Sequence, residues 1–94
     1  MAGNIKINPE LAAQLASTFG AQQASLEQLT KTLSSAVINN VGSNQPAWEG
    51  QSAQQFVDSW NHEFQPALTK LAAALEEARN LLNQTIQAFQ SIDN

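Results

Sequence analysis

The chain has 94 residues and a net charge of −4, and its four cations, Lys6, Lys31, Lys70 and Arg79, are scattered along the sequence, which argues against nucleic acid and anionic lipid as partners. It contains no cysteine, which excludes disulfides, thiolate chemistry and Cys-based metal sites. The length suits one domain, residues 1–94, and a composition rich in Ala, Gln, Ser, Asn and Leu, without Tyr, favours an all-α fold.

A first helix is predicted over residues 9–41. Asn8 is a preferred N-cap, Pro9 fits the first helical position, and Glu10 places negative charge at the positive end of the helix dipole. Apolar residues then recur at spacings of three and four, with a polar gap at Gln22 and Gln23. The members of this first stripe are Leu11, Leu15, Phe19, Leu26, Leu29, Leu33 and Val37.

A loop is predicted over about residues 42–51. Asn and Gly around Gly42 suit a helix C-terminus, and Pro46 follows in a polar stretch with turn chemistry. The loop contains Trp48-Glu49-Gly50. A tryptophan in a polar loop is expected to cover something, here the hairpin end near Val41 and Phe56. Gly50 permits a positive φ just before the next helix.

A second helix is predicted over residues 52–90, because Ser52 and Gln55 have the spacing of a capping box. Pro66 lies inside the helical pattern, where a proline either ends or kinks a helix. The apolar phase is kept from Phe64 to Leu68, so we predict one continuous helix with a kink near Pro66. Its stripe consists of Ala53, Phe56, Trp60, Phe64, Leu68, Leu71, Leu75, Ala78, Leu82, Ile86 and Phe89.

Two long helices joined by a short loop predict an antiparallel helix-turn-helix hairpin. A hairpin alone would leave broad apolar stripes partly wet, so we predict that two copies form a four-helix bundle, with the loop of one beside the termini of the other. The expected core of the hairpin or of the dimer comprises Leu15, Phe19, Leu26, Leu29, Leu33, Phe56, Trp60, Phe64, Leu68, Leu71 and Leu75.

The residues offer little catalytic chemistry. Asp58, His62 and Glu63 contain a pair one helical turn apart, but an exposed polar surface is the more common meaning of such a pattern than a metal site. Glu76 and Glu77 are adjacent in a helix and so point apart. The sequence also lacks a nucleophile elbow and a phosphate-binding Gly loop. We therefore predict a non-enzymatic protein without catalytic residues, metal or cofactor.

The residues give a default location inside the cell. No apolar run approaches the ~18 to 20 residues that span a bilayer, so no stable membrane insertion is expected. Met1 to Asn8 lacks the apolar core of a secretory signal peptide. The default is a soluble cytoplasmic protein, and export would need a route other than the general secretory pathway.

The chain resembles the WXG family, the small early-secreted-antigen-like (ESAT-like) proteins exported by type VII (ESX) secretion systems. The resemblance covers essentially the whole chain, through its length, its two helices and the central Trp48-Glu49-Gly50. Ala53 and Phe56 match the small and aromatic positions that the family has at the start of its second helix. A central W-x-G between two such helices is more specific than the tripeptide alone.

The family's C-terminal export signal, Y-x-x-x-D/E, aligns with Phe89-Gln90-Ser91-Ile92-Asp93. Phenylalanine replaces tyrosine, so the ring and the acid remain one turn apart while the hydroxyl is missing. Phe89 and Asp93 are thus candidates for the export signal, or Phe89 merely completes the apolar stripe.

The resemblance implies a protein made in the bacterial cytoplasm and secreted without a cleavable signal peptide, virulence-associated or acting as a co-secreted adaptor. It implies a homodimer, or a heterodimer with a related WXG protein, and a type VII secretion ATPase as partner. The alternative is a cytoplasmic helical scaffold or chaperone that binds client helices. Membrane disruption, proposed for some family members, is disfavoured by the acidic charge and the lack of a basic face.

Overall fold

The chain forms an antiparallel helical hairpin, as the sequence predicts. The computed structural model describes residues 6–93, and the side chains of residues 6–91. Helix α1 spans Pro9–Asn40, α2 spans Gln51–Ser59 and α3 spans Gln65–Asp93, with a π-helical turn, Trp60–Phe64, between α2 and α3. Within residues 6–93 there is no β-strand, only an isolated bridge between Val41 and Trp48. Helix α1 packs along α3.

The start of α1 follows the capping rules. The Asn8 side-chain oxygen accepts hydrogen bonds from the backbone N–H groups of Glu10 and Leu11, both at 3.1 Å. These two donors have no partner inside the helix, so the cap satisfies them. The helix ends where Val41 turns to an extended conformation and Gly42 takes a φ of 123°.

The second half of the chain accommodates Pro66 with the π-helical turn. The backbone N–H of Gln65 donates to the carbonyl of Trp60, five residues earlier. Ser59 and Gln65, on either side of the turn, both keep right-handed helical dihedrals. A proline lacks an N–H and its ring presses on the preceding turn, and a wider turn relieves that pressure. Helices α2 and α3 therefore form one rod that is interrupted but not ended.

The predicted capping box at the second helix is wrong. The helix begins at Gln51, with Gly50 as its N-cap, and no side chain caps it. The Ser52 hydroxyl instead accepts a hydrogen bond from the indole N–H of Trp48 at 3.2 Å. Ser52 thus lies inside the first turn of α2, and its hydroxyl bonds to the ring of Trp48, four residues earlier, and does not cap the helix.

The hairpin closes on small residues. Its buried apolar side chains are Ala12, Ala16, Val37, Ala53, Trp60 and Ala72. Small side chains let two helix backbones approach closely, so the alanine edge of each stripe faces the other helix. The larger apolar residues of each stripe lie beside this line of small residues on the helix surface.

Of the residues predicted for the hairpin or dimer core, only Trp60 is buried in the hairpin. A half-buried group packs at the edge of the interface: Phe19, Leu26, Phe56, Leu68 and Leu75. An exposed group remains, whose side chains are at least a third accessible to solvent: Leu15, Leu29, Leu33, Phe64 and Leu71. These exposed residues do not form the core of the hairpin. That they form the core of a dimer stays a prediction.

The hairpin is a thin rod. Its extents are 65 × 21 × 12 Å, and its radius of gyration is 20.0 Å, against about 12 Å for a compact domain of this length. Its accessible surface is 6700 Å², against about 5,300 Å² for a compact monomer of this mass. One layer of two helices cannot enclose the large apolar residues of both stripes.

Candidate functional site

The loop around Trp48 is folded back onto the end of α1 by backbone hydrogen bonds. The Trp48 N–H donates to the Asn40 carbonyl at 3.0 Å, and the Ala47 N–H reaches the same oxygen at 3.2 Å. The Gly42 N–H donates to the Trp48 carbonyl at 2.8 Å. These bonds fix the position of the Trp48 backbone relative to the end of the hairpin.

Polar side chains fasten the rest of the loop, and sequence reasoning missed them. A Glu49 carboxylate oxygen accepts from the Asn44 N–H at 3.2 Å, with Asn44 at a φ of 61°. The Gln54 amide donates to the Ser43 hydroxyl at 2.9 Å. The signal in the sequence was the asparagine at position 44, because Asn tolerates the left-handed region better than most residues. The middle residue of the W-x-G tripeptide therefore has a structural task here.

Trp48 is held firmly and yet remains 39% exposed. Its ring lies 5.4 Å from that of Phe56, centroid to centroid, and Phe56 lies 6.3 Å from Phe64. The covered part of Trp48 thus touches the residue that the sequence indicates. Because Ser52 already accepts its indole N–H, a partner meets mainly the apolar ring surface of Trp48.

Glycine is required at position 50 by the backbone conformation and not by a lack of room for a side chain. Its φ is 109° and its ψ is −172°, a region that is essentially restricted to glycine. A Cβ at this position would have nothing within 4 Å. The positive φ expected from the sequence is present, and it turns the chain from the Trp48 loop into α2.

The candidate tail signal lies far from this turn within one chain. Phe89 is half-buried near the end of α3. It follows the start of α2 by some 38 positions, a rise of about 57 Å along a helix. Asp93 is in α3, but its side chain lies outside the described residues. One hairpin therefore does not bring Trp48 and Phe89 together.

The polar groups that the sequence singled out are not gathered into a centre. His62 is exposed on the π-helical turn, with its Nδ1 2.9 Å from the Asp58 carbonyl oxygen. Among the described residues there is no group of three or more His, Asp or Glu side chains placed to hold a metal ion. Glu76 and Glu77 are both exposed.

One broad face of the hairpin carries two uncharged lines of residues, which we call the outer seams; all their members are exposed except the half-buried Ala78 and Thr85. The α1 seam consists of Leu11, Leu15, Thr18, Gln22, Ser25, Leu29 and Leu33. The α3 seam, which starts in the π-helical turn, consists of Phe64, Ala67, Leu71, Ala74, Ala78, Leu81, Thr85 and Ala88. Both repeat at three and four, the spacing that packs one helix against another.

The opposite face has a different character. A groove of about 470 Å³ runs between the helices there, and its lining includes the charged residues Glu27, Lys31 and Glu76. On each helix the groove residues lie on one flank of the buried line and the outer seam lies on the other flank. The two outer seams consequently share one face of the hairpin, which we call the seam face.

Among known families, the model of WXG100, proteins of 100 residues with WXG, matches residues 4–94. Trp48-Glu49-Gly50 supplies that tripeptide. No curated protein and no solved structure gives a significant match. Across residues 6–93, none of the helices combines the length and the hydrophobicity that crossing a bilayer requires.

Proposed function

Because the chain belongs to the WXG100 family of small helical-hairpin proteins, we propose that it is a type VII (ESX-type) secretion substrate, exported as a homodimer that is recognised partly through Trp48. It acts without enzymatic activity or cofactor, either in virulence or as a co-secreted adaptor. The secretion ATPase is the partner that reads the export signal.

The observation that carries this proposal is an exposed tryptophan in a rigid turn. A mobile loop could bury its ring or leave it free, but here backbone bonds to Asn40 and stacking on Phe56 hold it in place. An aromatic ring that is already ordered loses little conformational entropy on binding. Such anchors are typical of recognition surfaces.

The homodimer is supported by the seam face. Leu71 is 51% exposed and Phe64 is 47% exposed, and both lie on this uncharged surface. Large exposed apolar patches mark interaction sites. WXG100 proteins typically pair as dimers. Neither outer seam contains a charged residue that would call for a different chain of opposite charge, so we favour self-pairing over a heterodimer with a related WXG protein.

An antiparallel dimer also supplies what one chain lacks. Its two-fold axis carries the C-terminal end of α3 of the second copy to the loop end of the first. Phe89 and Asp93 of one copy then lie in the same half of the dimer as Trp48 and Gly50 of the other. A bipartite export signal that is complete only in the dimer follows from this arrangement.

The experiment compares export of Trp48→Ala and Phe89→Ala with that of the unchanged protein. Ile38→Ala is the matched control, because Ile38 is a large apolar side chain that is 67% exposed in the last turn of α1 and belongs to neither outer seam nor the W-x-G tripeptide. We expect both test variants to remain helical dimers and to disappear from the culture medium, and the control to be exported normally. Normal export of both test variants would reject the bipartite signal.

The second candidate is a cytoplasmic scaffold or chaperone. The seam face favours it to the extent that two apolar helical lines can receive a client helix in place of a second copy. Fractionation of cells that express an active type VII system distinguishes the two. Protein found only inside the cells would favour the scaffold and overturn export.

A further inference from the structure

The outer seam of α1 has the same order of side chains in both directions from Gln22. Leu15 and Leu29 lie seven residues before and after it, and Leu11 and Leu33 lie eleven residues before and after it. The polar residues Thr18 and Ser25 lie four before and three after. The seam therefore has a polar centre and two equivalent leucine ends.

The inner part of the outer seam of α3 has the same property about position 76. Ala74 and Ala78 lie two residues from that position, and Leu71 and Leu81 lie five residues from it. Beyond them, Ala67 and Thr85 are nine residues away, and Phe64 and Ala88 are twelve. A small centre is thus flanked by leucine on both sides.

The two centres lie at the same level of the hairpin. Gly20 contacts Arg79, since a Cβ on Gly20 would be 3.4 Å from the Arg79 Cδ. In antiparallel helices of equal rise, Gln22 is consequently level with residue 77, about 1.5 Å from position 76. A two-fold axis across the hairpin must meet both helices at one level, and the two seams agree on where it lies.

We infer that the two-fold axis of the homodimer crosses the seam face at Gln22, so that the two Gln22 side-chain amides hydrogen-bond to each other. This inference rests on the proposed homodimer. Helix α1 then packs antiparallel on α1 of the second copy, with Leu15 on Leu29 and Leu11 on Leu33. A single polar pair in an apolar seam fixes register and partner choice at some cost in stability.

Polar pairing favours this arrangement over the other two-fold packing of the same faces. An axis parallel to the helices would lay α1 on α3 of the second copy and place Gln22 against Ala78. Ser25 would face Ala74. Buried amide and hydroxyl groups need hydrogen-bond partners, and alanine offers none. With the axis at Gln22, the polar residues of the α1 seam face each other.

The absence of native cysteine allows a direct test. In a Gln22→Cys variant the two thiols meet at the axis, within the ~4 Å Cβ separation that a disulfide needs. Copies of residue 25 would be about 9 Å apart along the helices, and copies of residue 18 about 12 Å apart. We expect Gln22→Cys to oxidise to a covalent dimer at least about tenfold faster than Ser25→Cys or Thr18→Cys. Ala13→Cys, exposed outside the seam, is the control for random collision.

Sedimentation of the unchanged protein separates the possible failures. A dimer in which Gln22→Cys crosslinks only when mixed with Ala78→Cys has the parallel axis, which overturns this inference and leaves the homodimer standing. A folded monomer at every concentration overturns both.

The register role of the amide has its own readout. In Gln22→Leu we expect a dimer at least as tight, in which Ser25→Cys now crosslinks because shifted registers become populated. If Ser25→Cys crosslinks no faster in the Gln22→Leu background than it does with Gln22 present, that role is overturned.

Discussion

The alanine interface predicts that enlarging Ala16 will destabilise the hairpin, although leucine is as good a helix former as alanine. Ala16 is only 4% exposed and faces the other helix. Leucine adds three carbon atoms, whose burial would contribute about 0.8 kcal/mol each if space existed. Because Ala16 is almost fully covered already, the added atoms find no free space, and overpacking costs about 1–3 kcal/mol. The matched control is Ala13→Leu, because Ala13 lies on the same helix and is exposed.

Thermal unfolding followed by circular dichroism measures the effect. For a domain of this size, 1 kcal/mol shifts Tm by about 4–8 °C, so we expect Ala16→Leu to lower Tm by roughly 5–20 °C. Ala13→Leu should stay within about 0.5 kcal/mol of the unchanged protein. All samples need the same protein concentration, because association raises Tm by mass action. Equal melting of Ala16→Leu and the unchanged protein, or equal loss in both variants, would refute the alanine interface.

Two further predictions concern the starts of the helices, at Gly50 and at Asn8. Gly50→Ala should lower the free energy of unfolding by about 1–3 kcal/mol, because the φ of 109° is strained for any side chain. The control is Gly20→Ala, inside α1, where a Cβ would be 3.4 Å from the flexible Arg79 side chain. Gly20→Ala should be neutral or stabilising by up to about 1 kcal/mol. A Gly50→Ala protein as stable as the Gly20→Ala protein would contradict this account of the turn. Asn8→Ala should cost about 1 kcal/mol in urea titration through loss of the bonds to Glu10 and Leu11, and Asn8→Ser should restore most of it; equal stability of Asn8→Ala would show that the cap contributes nothing.

Some features of the turn can be predicted from the sequence, and others cannot. The positive φ at Gly50 and the contact between Trp48 and Phe56 follow from residue types at short spacing. The pairing of Ser52 with the indole N–H does not, because the same hydroxyl was equally suited to cap the helix. Whether the Ser52 hydroxyl bonds to the indole N–H or caps the helix depends on where the folded loop places the Trp48 ring.

The sequence by itself determined that there would be two helices, where α1 would begin and that Trp48-Glu49-Gly50 would lie between them. Capping preferences and apolar periodicity act locally, so they are present in the chain before it folds. The tertiary structure decided which flank of each stripe closes the hairpin. Leucine promises more buried area than alanine, but Ala12, Ala16 and Ala72 are the side chains that are buried. That preference exists only when both helices are in contact, and it leaves Leu15, Leu29 and Leu71 exposed on the seam face.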